Sequence, residues 1–350
     1  MSYAVPGFRH PNLPTNELGF TTKDYEGSVS TLCAGCGHDS ISAAIIDACF
    51  ELSIPPHRVA KLSGIGCSSK TPTYFLGNSH GFNSVHGRMP SVATGANMAN
   101  RNLLYIGVSG DGDTASIGMG QFVHAVRRNV NMVYICENNG VYGLTKGQDS
   151  ATTDLGSKSK KGEPNALEPI DLCAVALQLG ASFVANSFSG DKKQLIPIIK
   201  AAIAHNGFAF INVISPCVTF NNAPGSTKSY DYVREHMAST NAVDYVPPAE
   251  EITTDYEPGT TEQVVMHDGS TINLQKMDPK HDVHSRRSSL ALMQEYKAEG
   301  KILTGLLFVD PDMPEIHSSM NTTDIPLRNL GEDKLCPGSD MLEKINAKLR

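Results

Sequence analysis

The sequence predicts an α/β fold: a doubly wound, mostly parallel sheet with helices on both faces, followed by a C-terminal appendage. Three observations predict it. Apolar runs of strand length recur, as in Leu103-Leu-Tyr-Ile-Gly-Val108, Met132-Val-Tyr-Ile-Cys136 and Phe208-Ala-Phe-Ile-Asn-Val-Ile214. Segments with helical apolar spacing separate them. Turns rich in Gly or Asn follow the first two runs, Gly110-Asp-Gly-Asp113 and Asn138-Asn139. Strand, turn, helix, strand, turn is a βαβ unit, and ligands of such sheets sit at the carboxyl ends of the strands.

Length and composition bound the rest. A chain of 350 residues suits one large or two smaller domains. Its 40% hydrophobic and 19% charged content supplies a sizeable core and excludes global disorder. No apolar run reaches the roughly 18 residues of a membrane span. The stretch Met1-Ser-Tyr-Ala-Val-Pro-Gly-Phe-Arg-His10 lacks a charged region leading into an apolar one, so a cytoplasmic protein is expected. A net charge of −7 disfavours nucleic acid as a partner. Eight cysteines without a secretory signal point to reduced thiols or metal ligation, not a disulfide framework.

In chain order, residues 1–30 are rich in Pro, Gly and polar side chains and read as an irregular arm that packs on a partner or neighbouring domain. Leu32-Cys-Ala-Gly-Cys-Gly-His38 follows, a CxxC running into a helix over residues 40–52 with Ile41, Ala44, Ile45, Ala48 and Cys49 on one face. Three readings compete for the CxxC: a redox pair, which would want a preceding strand; a zinc knuckle, which would want a second close pair; and half of an iron–sulfur site, which needs two more cysteines. Residues 58–63 read as a strand, and the turn Gly64-Ile-Gly-Cys-Ser-Ser-Lys70 puts Cys67 at its carboxyl end. Alone, Cys67 reads as a small buried hydrophobe.

Residues 90–100, rich in Ala and Gly, form a helix packed closely on a neighbour. Strand 103–108, helix 114–128 and strand 132–136 come next. The polar loop 146–166 carries Lys158, Lys160 and Lys161. It reads as a solvated loop, with a basic patch for an acidic partner as the sharper alternative. Helix 169–179, strand 182–186, helix 191–205 and strand 208–214 complete the pattern, and Ser215-Pro-Cys217 ends the last strand. The core domain is set at 31–235. Residues 236–350 are an extension with a hairpin over 264–273 around an Asp-Gly turn, a helix over 288–298 and a strand over 302–309. Cys49, Cys136, Cys173 and Cys336 read as packing residues.

The strand ends carry the chemistry. Without Cβ atoms, Gly110 and Gly112 let backbone N–H groups approach a phosphate. Asp111 offers a carboxylate and Asn139 a carbonyl oxygen, donors that suit Mg2+. They lie 28 positions apart, about one helix and one strand; two unrelated turns are the alternative. Arg88 could fork onto diphosphate oxygens and His86 could donate a hydrogen bond. Cys67 and Cys217 end strands as Asp111 and Asn139 do. Loops from four strand ends then meet at one rim, which allows a four-cysteine cluster beside a diphosphate site.

Gly110-Asp-Gly112 followed by Asn138-Asn139 resembles the thiamine diphosphate motif. The resemblance implies Mg2+ on Asp111, Asn139 and the carbonyl of Val141, with Asn138 the alternative amide. The longer series CAGCGH, GIGCSSK, HGR, GDGD, ENNGVYGLT and SPC resembles the β subunit of 2-oxoacid:ferredoxin oxidoreductases from about residue 30 to 235. It implies one 4Fe–4S cluster on Cys33, Cys36, Cys67 and Cys217. It implies thiamine diphosphate contacts from Ile65, Gly66, Cys67 and Ser68, from His86, Gly87 and Arg88, and from Gly110, Gly112, Asp113, Leu144 and Thr145.

The implied reaction is oxidative decarboxylation of a 2-oxo acid with coenzyme A, electrons leaving through the cluster to ferredoxin, or its reverse. The segment HGFNSVHGRMPSVATGANMANRNL looks most like the 2-oxoglutarate enzymes, so succinyl-CoA and CO2 are the expected products; pyruvate is the second choice. Lys70 and Leu144 occupy positions the family uses to select its oxo acid. No Glu stands in a motif matching the one that activates thiamine. The family takes that Glu from its α subunit, so an α2β2 assembly, inactive without α, is expected. A cluster-free thiamine diphosphate decarboxylase or synthase would not need the cysteines. An iron–sulfur carrier would not need Asp111 and Asn139.

Overall fold

The computed structural model describes residues 13–157, 163–219, 250–267, 270–336 and 338–349. The basic patch at Lys158, Lys160 and Lys161, the Asp-Gly tip of the hairpin, the boundary at 235 and the first twelve residues of the arm lie outside the described residues.

Nine strands form one sheet: β1 (Val59–Ser63), β2 (His80–Asn83), β3 (Leu104–Gly110), β4 (Met132–Asn138), β7 (Phe183–Phe188), β8 (Phe208–Ile214), β9 (Thr261–Val265), β10 (Thr271–Lys276) and β11 (Lys301–Val309). Their order is β2-β1-β3-β4-β8-β7-β11-β10-β9. The first six run parallel. Two short strands, β5 (Val141–Tyr142) and β6 (Gln148–Asp149), pair on their own.

Helices cover both faces. Helices α1 (Gly37–Glu51) and α5 (Lys192–Ala204) pack on Val133, Ile135, Ala209 and Ile211. On the other face α2 (Met89–Ala99), α3 (Met119–Arg127) and α4 (Leu172–Gln178) pack on Met132, Tyr134, Phe208 and Phe210. Successive residues of β4 and β8 thus enter opposite cores. That is why these strands are unbroken apolar runs rather than alternating ones.

Four elements differ from expectation. The helix expected over 114–128 is split into a wide turn, Gly112–Ile117, and α3. The break is at Gly118, whose N–H donates to Asp113 O at 2.9 Å; a Cβ there would lie 2.6 Å from that oxygen and 2.9 Å from Gly87 Cα. Strand β2 had no apolar run to announce it, because all four of its residues are exposed at the sheet edge. The loop at 146–166 begins with β6, which folds it back onto β5. The C-terminal extension continues the main sheet: β11 pairs antiparallel with β7, and β10 parallel with β11. Helix α6 (Arg286–Ala298) packs beside α4. The docked extension is held by Lys276, 3.0 Å from the buried Asp191 carboxylate and over the Tyr256 ring. Cys49, Cys136 and Cys173 are buried as packing residues, whereas Cys336 is exposed and packs in no core.

From β1 the chain runs outward to β2, and from β3 the opposite way to β4. The loops after β1 and β3 therefore diverge and leave a crevice at the carboxyl edge, the position where such sheets bind ligands.

Candidate cofactor and cluster site

Loops from four strands and the start of α1 line that crevice. Ile65, Gly66, Cys67 and Ser68 follow β1, and His86 precedes α2. Gly110 through Asp113 come from β3, and Asn139, Val141, Leu144 and Thr145 from β4. Two expected residues stand apart. Arg88 is exposed at the start of α2, and Lys70 lies in the helical turn after Cys67. Neither lines the cleft.

Glycine lets the loops meet. A Cβ on Gly64 would fall 1.8 Å from Asp113 Oδ2, and one on Gly112 would fall 2.4 Å from the Tyr142 ring. The Asp113 carboxylate joins the walls: it accepts the Gly87 N–H at 2.8 Å and the Ser109 hydroxyl at 3.3 Å, and lies 3.0 Å from His86 Nδ1.

Asp111 is 1% exposed. Its Oδ1 accepts the Asn139 N–H at 3.2 Å, and its Oδ2 accepts the hydroxyls of Thr152, at 2.7 Å, and Ser150. Burial raises its pKa, and these hydrogen bonds oppose the rise. Asn139 lines the cleft, whereas Asn138 does not; the Asn138 amide donates to Asn212 at 3.2 Å. A buried carboxylate beside an amide oxygen and a cleft walled by glycine backbone fits a hard divalent cation with a diphosphate. Among the described residues no three His, Cys, Asp or Glu side chains gather around a single-ion site. The donor set here contains only one carboxylate and would complete its shell with neutral oxygens.

The cysteines converge from three places. Cys33 and Cys36 close a turn, Cys36 N–H to Cys33 O at 3.1 Å, with Gly35 at φ +78°. The Gly37 N–H donates to Pro216 O at 3.2 Å. A Cβ on Gly37 would come within 2.7 Å of the Ser189 and Ser215 hydroxyls. The start of α1 is thus pressed against the ends of β7 and β8, which carries Cys36 to Cys217. Burial pushes the Cys36 thiol up, and Cys217 adds to the rise. Cys67 is also raised by burial; Lys70 opposes this and Cys33 reinforces it. None of the four cysteines is in a disulfide, and Cys67 lines the cleft itself. Four cysteines in one neighbourhood, none tied up in a disulfide, fit the ligand requirement of a 4Fe–4S cluster.

Sequence reasoning missed four residues. Glu137 and His38 are buried in the wall of the cleft, His38 Nδ1 lying 3.5 Å from Glu137 Oε2 and 2.6 Å from Ser215 Oγ. Burial drives the Glu137 carboxyl well above the usual range and pulls the His38 pKa down to about 4. A Glu inside an otherwise apolar strand was the available signal. Ser150 and Thr152 gave none, because hydroxyls in a polar loop are ordinary.

A doubly wound sheet with an acidic, glycine-walled cleft at its switch point is the architecture of a ligand-binding α/β domain. Residues 64–213 match the family described as "Thiamine pyrophosphate enzyme, C-terminal TPP binding domain". The chain is 45% identical over 199 residues to the 2-oxoacid:ferredoxin oxidoreductase subunit beta of Saccharolobus solfataricus, covering 57% of this chain and 65% of that one. It is 40% identical over 189 residues to the 2-oxoglutarate synthase subunit KorB of Methanocaldococcus jannaschii, covering 54% of this chain and 69% of the relative. The solved 2-oxoglutarate:ferredoxin oxidoreductase from Magnetococcus marinus, with 2-oxoglutarate, coenzyme A and succinyl-CoA bound, superposes with a TM-score of 0.68 at 30% identity, over 90% of this chain and 94% of that one. The chain belongs to the β-subunit family of 2-oxoacid:ferredoxin oxidoreductases. The match spans slightly less than two thirds of the Saccharolobus relative's length.

Proposed function

We propose that this chain is the thiamine diphosphate- and 4Fe–4S-binding subunit of an enzyme that oxidatively decarboxylates 2-oxoglutarate with coenzyme A. The products are succinyl-CoA and CO2, with electrons passed to ferredoxin; the reverse carboxylation uses the same groups. The observation that supports the reading is the approach of two donor sets: Cys36 feels the charge of Cys217 and Cys67 that of Cys33, and Cys67 lines the same cleft as Asp111 and Asn139.

Asp111, Asn139 and the carbonyl of Val141 would hold Mg2+. The backbone of Gly110, Gly112 and Gly66 would seat the diphosphate, with His86 oriented by Asp113. Cys33, Cys36, Cys67 and Cys217 would hold the cluster. When bound, thiamine diphosphate supplies the electron sink for decarboxylation. The apolar Leu144 would wall the oxo-acid pocket. Val85, Ile117 and Leu144 are 70%, 44% and 49% exposed. Such apolar surface beside the site suits cover by an α subunit, which would also bring the activating Glu. No helix among the described residues is long and apolar enough to cross a membrane, and we assign the enzyme to the cytoplasm.

The test is anaerobic co-expression with the α subunit, followed by viologen reduction with coenzyme A and a panel of oxo acids. Brown protein with about four irons per chain and the fastest rate on 2-oxoglutarate is the expected result. A faster rate on pyruvate would overturn the substrate. Colourless protein that binds thiamine diphosphate would overturn the cluster and favour a decarboxylase.

A further inference from the structure

We propose that Ser150, Thr152 and Thr153 are positioning residues for the divalent cation: a hydroxyl clamp that aims one oxygen of Asp111 at the metal. The proposal rests on the metal site described above and adds to it residues outside the metal-binding motif.

The clamp is built by the small hairpin. Strands β5 and β6 pair as Val141 with Asp149 and Tyr142 with Gln148, turning through Lys146 and Gly147, both at positive φ. The chain therefore returns to β3 directly after β6, which brings Ser150 onto a carboxylate 39 positions upstream. Ser150 and Thr152 both donate to Asp111 Oδ2. Oδ1 accepts the Asn139 N–H at 3.2 Å. A hydroxyl proton and a cation cannot share one lone pair. Oδ2 is claimed by two hydroxyls, so Oδ1 is the oxygen left for the metal.

Thr153 fixes the opposite side of the site. Its hydroxyl donates to Gly140 O and accepts the Ser150 N–H at 2.7 Å. The turn carrying Asn139 and Val141 is thereby tied to the segment that holds Asp111. Ser150 and Thr153 are buried, 8% and 3% exposed, so these bonds form away from competing water.

Groups that orient metal ligands commonly contribute about 10- to 100-fold in metal affinity. The test uses the co-purified α and β chains with thiamine diphosphate, titrated with Mn2+ as a spectroscopic substitute for Mg2+ and read by electron paramagnetic resonance. Thr152→Val, nearly isosteric, should weaken Mn2+ binding about 10- to 100-fold, while Thr152→Ser should bind within about threefold of wild type. Ser150→Ala should weaken it in the same direction and carries the test should Thr152→Val fail to fold. Wild-type affinity in Thr152→Val or, failing that variant, in Ser150→Ala overturns the clamp. Equal losses in Thr152→Val and Thr152→Ser also overturn it, because packing rather than the hydroxyl would then matter. Wild-type protein that takes up neither Mn2+ nor thiamine diphosphate refutes the proposed function instead.

Discussion

Gly64→Ala should be among the most damaging single-methyl additions in the chain. The new Cβ would fall 1.8 Å from Asp113 Oδ2. The Asp113 carboxylate is buried and is held by the Gly87 N–H at 2.8 Å, His86 Nδ1 at 3.0 Å and the Ser109 hydroxyl at 3.3 Å. To clear the methyl it must retreat by more than about 1 Å, which breaks the short contacts. A hydrogen bond to a charged group contributes about 1.5–3 kcal/mol, so losing two costs roughly 3–6 kcal/mol. Reduced freedom of the unfolded chain offsets about 0.4–1 kcal/mol. The net loss is on the order of 3 kcal/mol. Urea unfolding should show it as a lower midpoint with an unchanged slope. Gly120→Ala, at an exposed position of α3 with no atom in the way of a Cβ, is the matched control; it should stabilise by about 0.5–1 kcal/mol. A Gly64→Ala loss under about 1 kcal/mol, or the same sign for both variants, would refute the account of how the cleft loops lock.

Cys217→Ala should lower bound iron and acid-labile sulfide to background after anaerobic reconstitution, while Cys336→Ser, at an exposed thiol, leaves both unchanged; iron retained in Cys217→Ala removes it from the ligand set. Lys276→Met should cost about 3 kcal/mol in thermal unfolding, because it strands the buried Asp191 carboxylate; a change under about 1 kcal/mol would remove this pair from the forces holding the extension. The His38 contribution to stability should also fall as pH drops from 6.5 toward 4. Over that window the unfolded chain takes up a proton at His38 that the folded chain refuses until about pH 4, a difference worth up to ~3 kcal/mol. Glu137 acts in the opposite sense, keeping its proton in the fold above the pH at which the unfolded chain releases it. The His38 slope is therefore measured by comparing His38→Gln with its parent in a Glu137→Gln background; equal slopes would contradict the burial of a neutral imidazole.

The doubly wound core was legible because its strands are buried on both faces. Continuous apolar runs such as residues 132–136 and 208–214 mark that environment and little else. The Gly110–Asp113 and Asn138–Asn139 turns were equally legible, since a backbone-lined anion cradle and a hard-cation carboxylate each demand particular residue types. Strand β2 was not legible: an exposed edge strand buries no side chain, so nothing selects an apolar pattern. The break at Gly118 was hidden because it answers to Gly87 and Asp113, contacts formed only across loops.

By itself, then, the order of residues determined the fold class and the kinds of donor present: thiols, one carboxylate, amide oxygens and glycine backbone. Only the tertiary structure decided which donors share a space. It set Asn139 rather than Asn138 on the cleft, left Arg88 and Lys70 off it, and carried the Ser150 and Thr152 hydroxyls onto Asp111. The physical reason is range. Burial and local geometry leave periodic marks along a chain, whereas a hydrogen bond spanning some forty residues is written in no neighbourhood of the sequence.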